Sequence, residues 1–282
     1  MKMHEYKPFA EFKNGNTIIS GVDNFDLRQT LDCGQAFRWS PLPDGCWSGI
    51  ALGRYIKIGH ADNKIILFDT DLSEYEEKWR NYFDIDRDYS VIVSSMDPDK
   101  ILSAAAHKNS GIRILRQDKW ETLCSFIISQ NNNIPRIKGI IGRLCEQFGE
   151  PVDGGFAFPA PQKLACLTPD DLAPLRSGFR ARYIIDAAKK VTDGTINTEL
   201  IATSDNDTAR KELMKITGVG AKVADCTLLF GYSHLDVLPK DVWIKRALTE
   251  YFGGELPECA LPYAGIAQQY IFNYIRDENG KF

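Results

Sequence analysis

The sequence predicts an α+β protein: an N-terminal antiparallel β-sheet domain over residues 1–100, packed on a mostly helical region over residues 101–282. Three observations predict it. Before residue 70, apolar side chains sit in short β-branched and aromatic runs separated by turn residues, the signature of half-buried strands. From about residue 97 the apolar spacing changes to the helical period. No internal repeat or low-complexity tract interrupts either part.

Thr17-Ile18-Ile19 is the first β-branched run. Phe37-Arg38-Trp39 and Cys46–Ile50 flank Pro41-Leu42-Pro43-Asp44-Gly45, which predicts a hairpin. Arg54–Ile58 alternates, and Lys64–Phe68 follows the turn Gly59–Asn63, extending an antiparallel meander with one face buried. A helical stretch then runs from Asp71 to Phe83, with Ser73 and Glu76 spaced as a capping box. Asp97-Pro98-Asp99 starts a helix that continues through His107. Lys119–Gln130 places Trp120, Leu123, Phe126 and Ile127 at helical spacing, and Ile134–Phe148 forms a second amphipathic helix. Residues 151–161 read as a Gly/Pro-rich loop, followed by helices of moderate length.

Composition narrows the function classes. The 282 residues hold 34 basic and 38 acidic side chains, a formal net charge of −4, which excludes a histone-like polycation. Charge is unevenly placed: residues 101–152 and 176–246 each carry a net +3 against an acidic background, so an anionic partner is expected there. The seven cysteines are scattered and form no Cys-x-x-Cys pair, which argues against a disulfide framework, a thiolate zinc site and an iron–sulfur cluster. The N-terminus has no apolar signal core, and no stretch has the roughly 18 apolar residues of a membrane span. A soluble cytoplasmic protein with reduced thiols is expected.

Leu213–Asp225 is the most informative segment. It reads as helix, tight Gly218-Val219-Gly220 turn, helix. Two glycines two apart let the backbone turn sharply and approach a ligand closely. The free N–H groups opening the second helix suit a phosphate. Taken alone, the pattern also fits an ordinary helical hairpin. Lys222 falls in the first turn of the second helix, where the dipole disfavours a cation; the same field favours a neutral, nucleophilic amine. Asp225 and Cys226 follow one turn later, on the same side. Asp241 precedes the helical stretch Val242–Tyr251 as an N-cap residue would. Beside a neutral lysine such a carboxylate also serves as acid/base or stabilises a developing cation.

The assembled pieces resemble the helix-hairpin-helix superfamily of DNA glycosylases. Gly218–Cys226 followed by Pro239-Lys240-Asp241-Val242 is closer still to the 8-oxoguanine DNA glycosylase family. Cys33–Trp39, Ser129–Ile137, Gly178–Tyr183 and Pro262–Gln268 resemble further stretches of that family, in its order. The resemblance implies a helix-hairpin-helix at about 207–233 and a bifunctional glycosylase and lyase. It implies that Lys222 attacks C1′ of the damaged nucleoside and forms a Schiff base, with Asp241 assisting. Gln268 and Phe272 would pair with and stack on the lesion, Cys226 would pack its other face, and the Gly34 carbonyl would accept the N7–H found on 8-oxoguanine. Asn131 would fill the hole left by the extruded base, Arg136 and Arg180 would read the orphaned cytosine, and Phe179 would act as the wedge. Gly218 and Gly220 would meet the DNA backbone, and the carbonyls of Met214, Ile216 and Val219 would hold a monovalent cation.

The implied partner is double-stranded DNA containing 8-oxoguanine, bound by a monomer with no required cofactor, at the nucleoid if the source is prokaryotic. Three residues depart from the family pattern: Phe179 stands where tyrosine is common, Trp243 where histidine is, and Phe230 where methionine is. The chain stops soon after Phe272, so a tail-dependent partner is not expected. Two alternatives stay open. One is a monofunctional helix-hairpin-helix glycosylase for other damaged bases, against which Lys222 argues. The other is a non-catalytic helix-hairpin-helix DNA-binding module.

Overall fold

The computed structural model describes residues 6–279, with side chains to residue 276. The ends of the two expected regions, residues 1–5 and 280–282, lie outside the described residues. Strands β1 (Phe9–Lys13) and β2 (Asn16–Ser20) form a hairpin around Asn14-Gly15, with φ of 53° and 80°. That pair of left-handed residues matches the twist of the flanking strands. β1 lies beyond the strands expected from the pattern. Phe9 and Phe12 are exposed, so no buried face imposes alternation there, and the Asn-Gly pair is the signal that marks it.

After helix α1 (Leu27–Leu31, capped by Asp26) come β3 (Trp39–Pro41), β4 (Trp47–Ala51), β5 (Arg54–Ala61) and β6 (Lys64–Phe68). The six-stranded sheet has the order β1-β2-β6-β5-β4-β3: β3 to β6 follow one another as the expected meander, whereas β2 pairs antiparallel with β6 and not with β3. β5 runs on to Ala61, so the turn before β6 tightens to Asp62-Asn63. Ile19, Ile56, Ile58, Ile65 and Leu67 alternate onto the buried face. Burying five such side chains contributes on the order of 10 kcal/mol before chain entropy is counted.

A helical stretch follows: α2 (Leu72–Glu74), a π-helical turn Tyr75–Trp79 and α3 (Arg80–Tyr82). Its cap is Asp71, which accepts the Glu74 N–H at 2.8 Å, and not the expected Ser73. Asp71 has the extended backbone a cap needs, whereas Ser73 is already helical and donates to Glu77. Helices α4 (Tyr89–Ser95) and α5 (Lys100–Lys108) come next, α5 capped by Asp99 as its sequence predicts.

The chain divides into two compact units. One holds residues up to 49, residues 56–116 and the stretch from 240 on; the other holds residues 50–55 and 117–239. The division expected at residue 100 is therefore corrected. Residues 101–116 stay with the sheet unit, because α5 packs within it and Arg113 ties it together. Arg113 is fully buried and donates to the carbonyls of Asp23, Asp84 and Arg87 and to the Tyr6 hydroxyl. A buried guanidinium is tolerated only with such a set of acceptors.

In the second unit lie α6 (Lys119–Ser129) and α7 (Ile134–Phe148), capped by Asp118 and Asn133. The Gly/Pro-rich stretch contains a small hairpin, β7 (Pro151–Val152) and β8 (Gly155–Phe156), and leads to α8 (Pro161–Ala165). Then come α9 (Arg180–Thr192), α10 (Thr198–Thr203), α11 (Asn206–Leu213) and α12 (Ala221–Tyr232). Leu123, Ile127, Ile140, Leu144, Ile184, Leu213 and Leu228 form its core. The chain returns to the first unit with α13 (Val242–Phe252) and α14 (Ala264–Asn279). No helix among the described residues is long and apolar enough to cross a membrane.

Candidate active site

Helices α11 and α12 with the turn 214–220 form the expected hairpin. Gly218 has φ +80°, and a Cβ there would overlap the Tyr183 ring, so glycine is required twice over. Gly220 is different. It is the N-cap of α12 with φ −99° and open space around it, so the backbone does not demand glycine there. As N-cap it lacks a side-chain cap, which leaves the first N–H groups of α12 available to an anion. Within the turn, Val219 N–H donates to the Ile216 carbonyl at 3.0 Å.

Lys222, half-buried, sets its ammonium 5.0 Å from the centre of the Phe126 ring, and Phe126 stacks on Phe230 with centroids 5.3 Å apart. Cys226 is buried one turn on. Asp225 serves the hairpin itself: its carboxylate accepts Arg210 Nε at 2.6 Å, joining α12 to α11. Asp225 is buried, so removing Arg210 would strand its carboxylate, whereas Arg210 also pairs with Asp207.

The two arginines expected to read cytosine differ in exposure. Arg136 is exposed in the first turn of α7. Arg180 is 3% exposed, and its guanidinium is committed to backbone. It donates through Nε and Nη2 to the Gln130 carbonyl, through Nη2 to Asn131 at 2.9 Å and through Nη1 to Ser177 at 3.1 Å. Burial holds its pKa below the ordinary arginine value, and the charge of Arg136 adds to this. Without DNA, Arg180 thus holds the turn that carries Asn131. Asn131 is exposed, with a left-handed φ of 46° that this clamp sustains. Phe179 is half exposed, sandwiched between the Arg180 guanidinium at 4.4 Å and the edge of Tyr183 at 5.6 Å. A cavity of about 560 Å³ opens beside Phe179, and none of its lining residues belongs to the hairpin.

In the first unit, Asp241 caps α13 by accepting the Ile244 N–H at 2.8 Å. Gln268 and Phe272 are one turn apart on α14; Gln268 is buried and accepts Gln269 Nε2 at 2.9 Å, which orients its amide. Gly34 lies in the loop between α1 and β3 with φ +86°. Buried Gln35 locks that loop by bonding the Thr30 and Arg113 carbonyls and the Leu115 N–H. Among the described residues, no cluster of three or more His, Cys, Asp and Glu side chains could hold a metal ion.

Sequence reasoning assigned no role to Phe126, Tyr183, Asp186 or Arg210. Phe126 looked like one more core residue at helical spacing. The four-residue interval from Phe179 to Tyr183 was the available signal for a shared face.

Two family models match consecutive parts of the chain. Residues 17–123 match the N-terminal domain of 8-oxoguanine DNA glycosylase, and residues 124–256 match the HhH-GPD superfamily base excision DNA repair protein. Fold and hairpin thus define a base excision repair protein of the helix-hairpin-helix class. The chain is 40% identical to a protein called MBOgg1, solved with a low-affinity DNA ligand, with TM-score 0.91 over 98% of this chain and 100% of that one. It is 34% identical to the Clostridium acetobutylicum 8-oxoguanine glycosylase/lyase, solved with double-stranded DNA containing cytosine opposite 8-oxoguanine, with TM-score 0.89 over 96% and 98%. The Saccharomyces cerevisiae N-glycosylase/DNA lyase is 32% identical over 78% of this chain, which spans 66% of the yeast protein. The chain belongs to the 8-oxoguanine DNA glycosylase family.

Proposed function

We propose that the protein excises 8-oxoguanine from duplex DNA, preferring cytosine opposite the lesion, and then cuts the strand 3′ to it. The observation that carries this reading is Lys222, seated in the first turn of α12 directly after the glycine turn. An amine at that point makes an imine, which a water-activating aspartate alone cannot. The named Clostridium relative and its duplex support the substrate.

Extruding the lesion costs a few kcal/mol of stacking and pairing. Phe179 buckles the stack, Asn131 fills the gap and Arg136 meets the cytosine edge, while Arg180 holds the turn between them. The Gly34 carbonyl accepts N7–H, where guanine would present a lone pair instead, so the wrong base leaves an acceptor facing an acceptor. Gln268 takes the base's Watson–Crick edge, and Phe272 and Cys226 pack its two faces. The Lys222 nitrogen then bonds to C1′ as the glycosidic bond breaks, and the base leaves with the electron pair and gains a proton. Asp241, fixed by the Ile244 N–H, stabilises the developing positive charge and assists the lysine. Loss of the amine proton and opening of the sugar ring give the Schiff base. It acidifies C2′–H; loss of that proton expels the 3′ phosphate and cuts the strand.

This reading needs no cofactor; a monovalent cation on the Met214, Ile216 and Val219 carbonyls would tighten the hairpin on a phosphate. It puts the work of a monomer on DNA in the cytoplasm, at the nucleoid of a prokaryote. The test is borohydride trapping on a duplex with 8-oxoguanine opposite cytosine. Wild-type protein should give a covalent adduct that Lys222→Gln lacks. Base release without an adduct would establish a monofunctional glycosylase instead, and salt-sensitive binding without release a DNA-binding module.

A further inference from the structure

Tyr183, Asp186 and Lys190 have no part in the chemistry above, yet with Phe179 they recur at intervals of four, three and four along α9, a single helical face. Each touches something the reaction depends on. The Phe179 ring meets the Tyr183 ring edge-on at 5.6 Å. The same Tyr183 ring lies against Gly218, whose missing Cβ is what lets the turn settle there. Arg182 covers the ring at 5.1 Å and reaches its hydroxyl at 3.3 Å. Asp186 accepts the Thr217 N–H at 2.7 Å, and Lys190 donates to the Lys215 carbonyl at 2.7 Å while pairing with Asp186 at 2.9 Å. One helix face therefore grips three residues of the turn that opens α12, with Lys222 four residues past Gly218, and carries the wedge at its N-terminal end.

We propose that Tyr183 is a positioning residue for excision: its ring registers the Phe179 wedge against the hairpin turn that carries Lys222, so that base extrusion and nucleophilic attack share one geometric reference. The proposal rests on the glycosylase reading. An aromatic ring suits this task because it has two side-chain torsions and a flat face on which backbone can lie. The Asp186 and Lys190 bonds stop the turn from sliding along that face. Displacing a nucleophile by about 1 Å costs on the order of 100-fold in rate, so a loosened turn affects chemistry before it affects affinity.

The test compares wild-type protein, Tyr183→Phe, Tyr183→Leu, Phe179→Ala and the double variant Tyr183→Leu/Phe179→Ala in single-turnover trapping on the 8-oxoguanine:cytosine duplex. Tyr183→Phe keeps the ring and should stay within about twofold of wild type, whereas Tyr183→Leu should fall about tenfold or more at saturating protein. Duplex affinity of Tyr183→Leu should stay within about threefold. The two losses should be strongly non-additive, since each variant breaks the same ring contact. Additive losses, equal rates for the Leu and Phe variants, or a loss confined to affinity or melting temperature would overturn the proposal. Asp186→Asn, which weakens the grip on Thr217 without opening a void, supplies the measurement if Tyr183→Leu does not fold: it should lower the single-turnover rate and leave duplex affinity within about threefold, and an unchanged rate would overturn the proposal. An inert wild-type protein would sink the glycosylase reading and this proposal with it. An active wild-type protein with an unaffected Tyr183→Leu would sink the positioning role alone.

Discussion

Replacing Gly218 by alanine tests the hairpin where backbone and packing demands coincide. At φ +80° an alanine pays about 1–2 kcal/mol for the left-handed conformation. Its Cβ also overlaps the Tyr183 ring, which is held by Phe179 and Arg182 and has little room to yield. Overpacking of that kind costs about 1–3 kcal/mol. Together the loss should be about 2–5 kcal/mol. Gly220→Ala is the internal control. Its φ of −99° suits any residue and nothing lies within 4 Å of the added methyl. A weaker N-cap and a stiffer unfolded chain nearly cancel there, leaving a change within about 0.5 kcal/mol. Urea unfolding of the DNA-free protein, followed by circular dichroism, measures both. Equal effects of the two substitutions, or a Gly218→Ala loss below about 0.5 kcal/mol, would refute the reasoning that separates these glycines.

Two further predictions concern titration and thiol chemistry. Burial raises the carboxyls of Asp186 and Glu212, but their bonds outweigh it and hold both below the ordinary range: Lys190 and the Thr217 N–H for Asp186, the Asn197 N–H and Lys215 for Glu212. A depressed folded value means stabilisation is complete above the unfolded value of about 4 and is lost as pH falls through the folded one. The melting temperature should therefore drop below about pH 4, and Asp186→Asn should flatten that drop; parallel profiles would contradict it. Burial pushes the Cys33 thiol up to about 11, while Cys166 is exposed. Iodoacetamide should label Cys166 well before Cys33; equal rates would show that the loop around Gly34 opens freely.

Much of the fold was legible because its signals are local. The caps at Asp99 and Asp241 each bond a backbone N–H two or three residues away. The hairpin was legible because glycine spacing limits what its backbone can do. The contacts of Arg180 were not legible for the opposite reason. Its carbonyl partners at Gln130 and Asn131 are about 50 residues away, and an arginine looks the same in sequence whether it meets a base or a buried turn. Asp225 shows the same limit: its spacing to Lys222 suggested a shared face, but Arg210 claimed its carboxylate first.

What the sequence determined by itself was the order and type of most elements, the glycine turn and the lysine that follows it, together with the charge that concentrates in residues 101–152 and 176–246. Periodicity, caps and turn chemistry act within a few residues, so they survive in a linear reading. Tertiary structure decided which polar atoms remain for a ligand. It turned Arg180 inward and left Arg136 exposed, and it made Gly218 indispensable while leaving Gly220 open. It also laid one face of α9 along the hairpin turn, through an Asp186–Thr217 bond spanning 31 residues. These outcomes are competitions between distant groups for the same donors, acceptors and space, and only the folded chain settles which partner wins.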